Sequence, residues 1–154
     1  MPALVIETLD ALNEYVGKEI GVSEWMVVTQ ERINQFAEAT EDTQWIHVDS
    51  ERAKRESPFG ATVAHGFLTL SLISRLVKDV IRISRGSRLT INYGLNRVRF
   101  PLPVRERSKI RGRFTLVSFQ DRGEAQEAVF DVSVECEGND KPCCVAEWIV
   151  RYYK

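Results

Sequence analysis

The chain has 154 residues, enough for one domain with a sizeable core. Apolar residues make up 44% and charged residues 28%, a composition that excludes a disordered chain. A net charge of −1 gives no electrostatic basis for nucleic-acid or anionic-membrane binding, and no apolar run reaches the ~18 residues a membrane span needs. The N-terminal stretch Met1-Pro2-Ala3-Leu4-Val5-Ile6-Glu7 lacks the basic and apolar regions of a signal peptide. Cys136, Cys143 and Cys144 are odd in number and lack CxxC spacing. They are expected as reduced thiols packed in strands, which suits a cytoplasmic protein.

No linker or repeat divides the chain, so residues 1–154 read as a single domain. A helical segment is expected at about 1–16, with Leu4, Leu9 and Leu12 apolar and Gly17 ending it. A short strand around Trp25-Met26-Val27-Val28 follows. Thr29 is a candidate N-cap for a helix carrying Ile33, Phe36 and Ala37 at helical spacing. Thr40 to His47 has no such period. Asp49 or Ser50 can cap a short helix over Glu51 to Arg55, which Ser57-Pro58-Phe59-Gly60 breaks. From Gly66 to Ile81 apolar residues cover most of a helix circumference through Ser74, so this helix belongs inside the protein.

The second half has the two-residue period of strands. Leu89, Ile91, Tyr93 and Leu95 alternate, and the phase then switches to Val98 and Phe100, which predicts a bulge near Asn96-Arg97. Ile110 to Phe119 reads as a long strand, and Ala128, Phe130, Val132 and Val134 alternate against polar neighbours. Cys143 to Tyr153 is apolar on both phases, as in a central strand. The fold class is α+β, with about five antiparallel strands wrapping one buried helix. Arg105, Arg107, Lys109, Arg111 and Arg113 alternate as one polar strand face. That face is either simply solvated or a landing site for a phosphorylated ligand tail.

Asp42 and His47 are the candidate acid–base pair. Five residues rotate a regular helix by about 500°, so the two side chains would diverge by roughly 140°. They converge only if the backbone leaves helical geometry between them, and the missing periodicity allows that. A neutral imidazole takes a proton from water near pH 7, and a carboxylate orients the water or returns a proton. A turn-capping Asp and a loop His would show the same spacing. Gly66 lets a ligand approach the first-turn N–H groups of a buried helix, where negative charge is favoured; a tight lead into a packed helix is the plainer alternative. His65 is either a second base or a loop-fixing hydrogen-bonding group, and Asp49 either a ligand contact or a helix cap. No compact ligand spacing points to a metal.

Taken together, the segments Phe36-Ala37-Glu38-Ala39-Thr40-Glu41-Asp42-Thr43-Gln44-Trp45-Ile46-His47-Val48-Asp49 and Pro58-Phe59-Gly60-Ala61-Thr62-Val63-Ala64-His65-Gly66-Phe67 resemble the two hallmarks of the MaoC-like dehydratases, or (R)-specific enoyl-CoA hydratases. Gln44-Trp45-Ile46-His47, the run from His65 to Leu70 and the run from Asn92 to Pro101 are most similar to the NodN-like branch. The resemblance covers about residues 17 to 153. It implies a hot-dog fold, a homodimer and an acyl-CoA site near the subunit interface. It implies Asp42 and His47 as the catalytic pair, the Gly66 N–H as oxyanion donor and Gln44 as a substrate-side amide. The chain departs from many members in carrying Gln44 where they have Asn, and Trp45-Ile46 where they have Pro-Leu. Gln44 keeps an amide with a longer reach, and Trp45 stands where it would reshape the acyl pocket.

The implied reaction is reversible hydration of a trans-2-enoyl-CoA to the (3R)-3-hydroxyacyl-CoA, with no metal and no cofactor beyond the CoA the substrate carries. Two rivals are a hot-dog acyl-CoA thioesterase and a non-catalytic acyl-CoA-binding subunit.

Overall fold

The computed structural model describes residues 2–154; Met1, part of the expected N-terminal helical segment, lies outside them. That segment is where the structure departs most from expectation. Leu4–Thr8 is a strand, β1, and only Leu9–Tyr15 is helical, as 3₁₀ turns. Two features explain the difference. β1 pairs in parallel with β4 (Ile81–Arg85), Leu4 opposite Ile81 and Ile6 opposite Ile83. Leu9 and Leu12, both buried, are three residues apart, which matches the three-residue turn of a 3₁₀ helix.

Next come two short strands, β2 (Glu19–Val22) and β3 (Met26–Val27). The helix α1 spans Gln30–Thr40, and the Thr29 side chain caps it by accepting from the Arg32 N–H at 3.1 Å. Two short helices follow, α2 (Trp45–Val48) and α3 (Ser50–Glu56), the latter capped by Asp49, which accepts from the Arg52 N–H at 3.0 Å. Capping therefore accounts for Asp49.

The buried helix is present but shorter than its pattern. It runs as α4 (Gly66–Ser71) and α5 (Ile73–Leu76), tightens into a 3₁₀ turn over Val77–Asp79, and gives way to β4. The β-branched residues Val80, Ile81 and Ile83 favour the strand that β1 completes. The remaining strands are long: β5 (Leu89–Arg99), β6 (Lys109–Asp121), β7 (Ala125–Cys136) and β8 (Pro142–Tyr153). They form an antiparallel sheet in the order β2-β6-β7-β8-β5, with β3 also on β6. The register of β5 against β8 slips between Leu95 and Arg97, where the phase switch placed a bulge, and again between Asn92 and Gly94.

The sheet wraps α4 and α5. Leu68, Leu72, Ile73 and Leu76 meet a core that includes Phe114, Leu116, Phe130 and Trp148. Gly112 lets the helix come this close: a Cβ there would lie 2.7 Å from the Phe114 ring and 3.3 Å from Leu76. Phe114 is fully buried and packs against Trp148 with ring centroids 6.4 Å apart and planes tilted by 58°. Phe114→Ala should therefore destabilise the fold by about 3–5 kcal/mol, read as a lower urea midpoint. A loss below about 1 kcal/mol would mean that this core does not hold the helix.

On the outer face, charges are matched rather than free. Arg111 and Arg113 both donate to Glu135, at 2.6 and 2.9 Å, and Arg113 also pairs with Glu19. Lys109 lies 3.8 Å from Glu137 and Arg107 lies 3.3 Å from Glu106. Only Lys109, Arg111 and Arg113 of the expected strand face lie on β6, where they are ion-paired; Arg105 and Arg107 precede the strand, and Arg107 is in a left-handed conformation. All three cysteines are free and buried; burial pushes the Cys143 thiol up to about 12 and that of Cys144 to about 11. They are packing groups, not nucleophiles.

Candidate active site

The segment between Asp42 and His47 leaves helical geometry as the missing period required. α1 ends at Thr40, Glu41 adopts a left-handed conformation (φ 60°), and the chain turns before α2 begins at Trp45. The turn brings the Asp42 carboxylate to the imidazoles of His47 and His65: one ligand-type atom from each of the three lies within 4.8 Å of the others. Asp42 is exposed, whereas His47 and His65 are buried.

His47 is fixed from several sides. Its Nδ1 lies 2.6 Å from the Val63 carbonyl. A carbonyl only accepts, so Nδ1 carries the proton and Nε2 holds the free lone pair. The His47 carbonyl accepts from the Gln30 side chain at 2.7 Å, and Gln30 in turn accepts from the Thr62 hydroxyl. The Val63 N–H donates to the Ile46 carbonyl at 3.0 Å, and Ala64 N–H to Val104 at 2.7 Å. The strand-like stretch beneath α2 is thus tied both to the base and to the sheet side of the fold. Sequence reasoning missed Gln30 and Thr62, since a polar pair 32 residues apart leaves no motif.

Burial is the main force on His47 and lowers its pKa below the ordinary 6.5. The Val63 hydrogen bond raises it, His65 lowers it, and Asp42 raises it. The net depression keeps His47 neutral, as a base must be near pH 7. It also links stability to pH. The folded state binds protons at His47 less readily than the unfolded chain, so stability is lost as pH falls below about 6.5 toward the depressed value, and the loss is absent above 6.5. The urea midpoint should accordingly drop between pH 7.5 and pH 5, and His47→Gln should flatten that slope. An equal slope in the variant would rule His47 out as its source.

His65 stacks on His47, with ring centroids 3.8 Å apart and planes 21° from parallel. Its Nε2 lies 2.9 Å from the Asp42 backbone carbonyl. Among the described residues, Asp42, His47 and His65 are the one group of side chains close enough to share a metal ion. The stacking fits such an ion poorly, because lone pairs lie in the ring planes and those of two nearly parallel rings do not converge on one point.

Gly66 opens α4 directly after His65. Its first-turn N–H has no intrahelical acceptor. A Cβ at this position would lie 3.0 Å from the Phe100 ring, so the absence of a side chain allows Phe100 and the helix start to meet. Gln44 is the exposed N-cap of α2, and its side chain makes no capping bond. Trp45 carries the Arg52 guanidinium over its ring at 4.2 Å, so one face of the indole is already covered.

The MaoC like domain matches residues 12–138. The chain is 49% identical over 147 residues to 3-hydroxyacyl-thioester dehydratase Z of Mycobacterium tuberculosis, covering 95% of this chain and 96% of that one. It is 48% identical over 135 residues to Nodulation protein N of Rhizobium leguminosarum bv. viciae, covering 87% and 84%. Among solved structures, an (R)-hydratase from A. caviae involved in PHA biosynthesis superposes with a TM-score of 0.70 at 21% identity, covering 88% of this chain and 94% of that one. A MaoC-like dehydratase from Rhodospirillum rubrum does so with a TM-score of 0.71 at 22% identity, covering 95% and 96%. These structural matches establish the hot-dog fold, and the sequence matches establish more: the chain belongs to the MaoC-like dehydratase family and is a hydro-lyase with hydratase/dehydratase activity.

Proposed function

We propose that this hydro-lyase adds water reversibly to a trans-2-enoyl-CoA, giving the (3R)-3-hydroxyacyl-CoA. The observation that carries the proposal is the approach of the Asp42 carboxylate to a buried imidazole whose Nδ1 is committed to Val63. One water can bridge side chains whose polar atoms come within 4.8 Å of each other, as those of Asp42 and His47 do. In the forward direction His47 Nε2 takes a proton from that water as its oxygen bonds to C3. The C2–C3 π electrons move toward the thioester, and the proton taken up by His47 is passed on to C2 with the help of Asp42, so both groups end in their starting states. The Gly66 N–H stabilises the enolate-like thioester oxygen between these events. In this reading Gln44 offers its amide to the water. Water and the activated thioester supply the whole chemistry, so the reaction as written calls for no metal or further cofactor.

We further propose that the enzyme is a homodimer that works in the cytoplasm, where its three buried thiols stay reduced. Strand β5 is an edge with β8 as its one sheet neighbour, yet Leu89, Ile91, Tyr93 and Leu95 on it are each at least 40% exposed. Phe67, beside Gly66, is 69% exposed and meets Phe100 edge-on. An unpaired apolar edge of this kind favours a second copy as its cover. Among the described residues no helix is long and apolar enough to cross a membrane. A cavity of about 220 Å³ beside the buried helix, lined by Leu70, Ile73, Leu95 and Trp148 together with Ser71, Ser74 and Asn92, is a candidate space for the acyl chain.

Loss of enoyl-CoA absorbance, followed over a ladder of acyl lengths with a thiol reagent in parallel, tests the function. Absorbance should fall without thiol release for at least one length. Stoichiometric thiol release would identify a thioesterase instead, and tight binding without turnover a non-catalytic subunit.

A further inference from the structure

We propose that His65 is a positioning residue that holds Asp42, His47 and the Gly66 N–H in register with one another; the inference rests on the hydratase function proposed above. Three separate contacts meet in this one residue. Its Nε2 lies 2.9 Å from the Asp42 carbonyl, so an Nε2–H donates to the main chain of the acidic residue. Its ring covers the face of the His47 imidazole at 3.8 Å and fixes the plane in which the Nε2 lone pair of His47 lies. Its own carbonyl accepts from the Leu68 N–H at 3.0 Å and the Thr69 N–H at 3.2 Å, which sets the first turn that Gly66 begins.

The rest of the surroundings support the assignment. His65 is 3% exposed, and Phe36 of α1 packs on it with ring centroids 4.9 Å apart. Its Nδ1 is buried with no hydrogen-bond partner. A buried polar atom without a partner costs stability. A phenylalanine would fill the same slot without that cost, so what the histidine adds is its Nε2–H to the Asp42 carbonyl. The titratable groups facing His47 are Asp42 and His65, while Gln30 reaches its carbonyl from α1 without charge. His65 therefore acts on the base electrostatically as well as sterically.

Two variants separate these effects. His65→Phe keeps a ring on His47 and removes the N–H; His65→Gln keeps an amide donor with comparable reach and removes the ring. On a substrate the wild type hydrates, His65→Phe should lower kcat about 10- to 100-fold with KM nearly unchanged, since misplacing a reacting group by about 1 Å has that effect. His65→Gln should restore most of kcat. In both variants the acid limb of kcat/KM should move to higher pH, because the electrostatic influence of His65, which lowers His47 in addition to the larger effect of burial, is gone. Wild-type kcat together with a wild-type pH profile in His65→Phe would overturn the inference, as would equal kcat losses in the two variants. Nitrogen NMR of the unmodified protein's imidazoles gives a readout independent of whether the variants fold: His65 should carry its proton on Nε2 and His47 on Nδ1. A proton on His65 Nδ1 alone would also overturn it. If the wild type hydrates no enoyl thioester, the proposed function fails, while the tautomer result still decides whether His65 anchors Asp42.

Discussion

His47→Gln should lower kcat for enoyl-CoA hydration by about 10²- to 10⁴-fold, the range expected when a positioned base is removed. Glutamine suits the experiment because it keeps a neutral polar side chain of similar volume in the slot but carries no group that takes a proton near pH 7. The fold should survive, and KM should change little, because the base acts on water rather than on the thioester. Steady-state kinetics beside a thermal melt separates the two effects. A variant that melts like the wild type and turns over within threefold of it would remove His47 from the mechanism.

Asp42→Asn should cost at least about 10²-fold in kcat, through loss of the group that orients the water and returns the proton. Asp42 is exposed and its backbone, not its carboxylate, accepts from His65, so stability should hardly move. The residual activity carries a second signature. Asp42 raises the pKa of His47, so the acid limb of kcat/KM should shift to lower pH in Asp42→Asn. That is opposite to the shift expected for the His65 variants. An unshifted limb with wild-type kcat would show that the carboxylate does not face the base in solution.

Most of the sheet was legible because alternation reports a half-buried strand directly, and β6, β7 and β8 run close to where their apolar phases lie. Thr29 and Asp49 were legible as caps because short polar side chains before a helix have few other roles. Glu127 shows where alternation fails. It stands on the polar phase of β7 but is 8% exposed, since Arg151 and Arg122 pair with it beneath their own side chains. β1 was not legible: its partner begins at Ile81, and a five-residue strand is fixed by that distant pairing rather than by its own pattern. Nor does the alternation in β5 tell whether a core or a second subunit covers its apolar residues.

The candidate site divides in the same way. Asp42, His47 and Gly66 were visible as residue types in two segments that resemble a known family. The convergence of Asp42 and His47 depended on a left-handed Glu41 that no residue preference announces. Gln30, Thr62 and the stacked His65 became visible only in three dimensions, because they act through contacts between segments far apart in the chain.

Oxygen labelling tests the central claim most directly. Wild-type enzyme given a short trans-2-enoyl-CoA in H₂¹⁸O should place the label on the C3 hydroxyl of an intact thioester, and His47→Gln should place almost none there. Label in a free carboxylate with CoA released, or a C3 hydroxyl labelled equally by both proteins, would contradict a water activated by His47 and Asp42 for attack at C3.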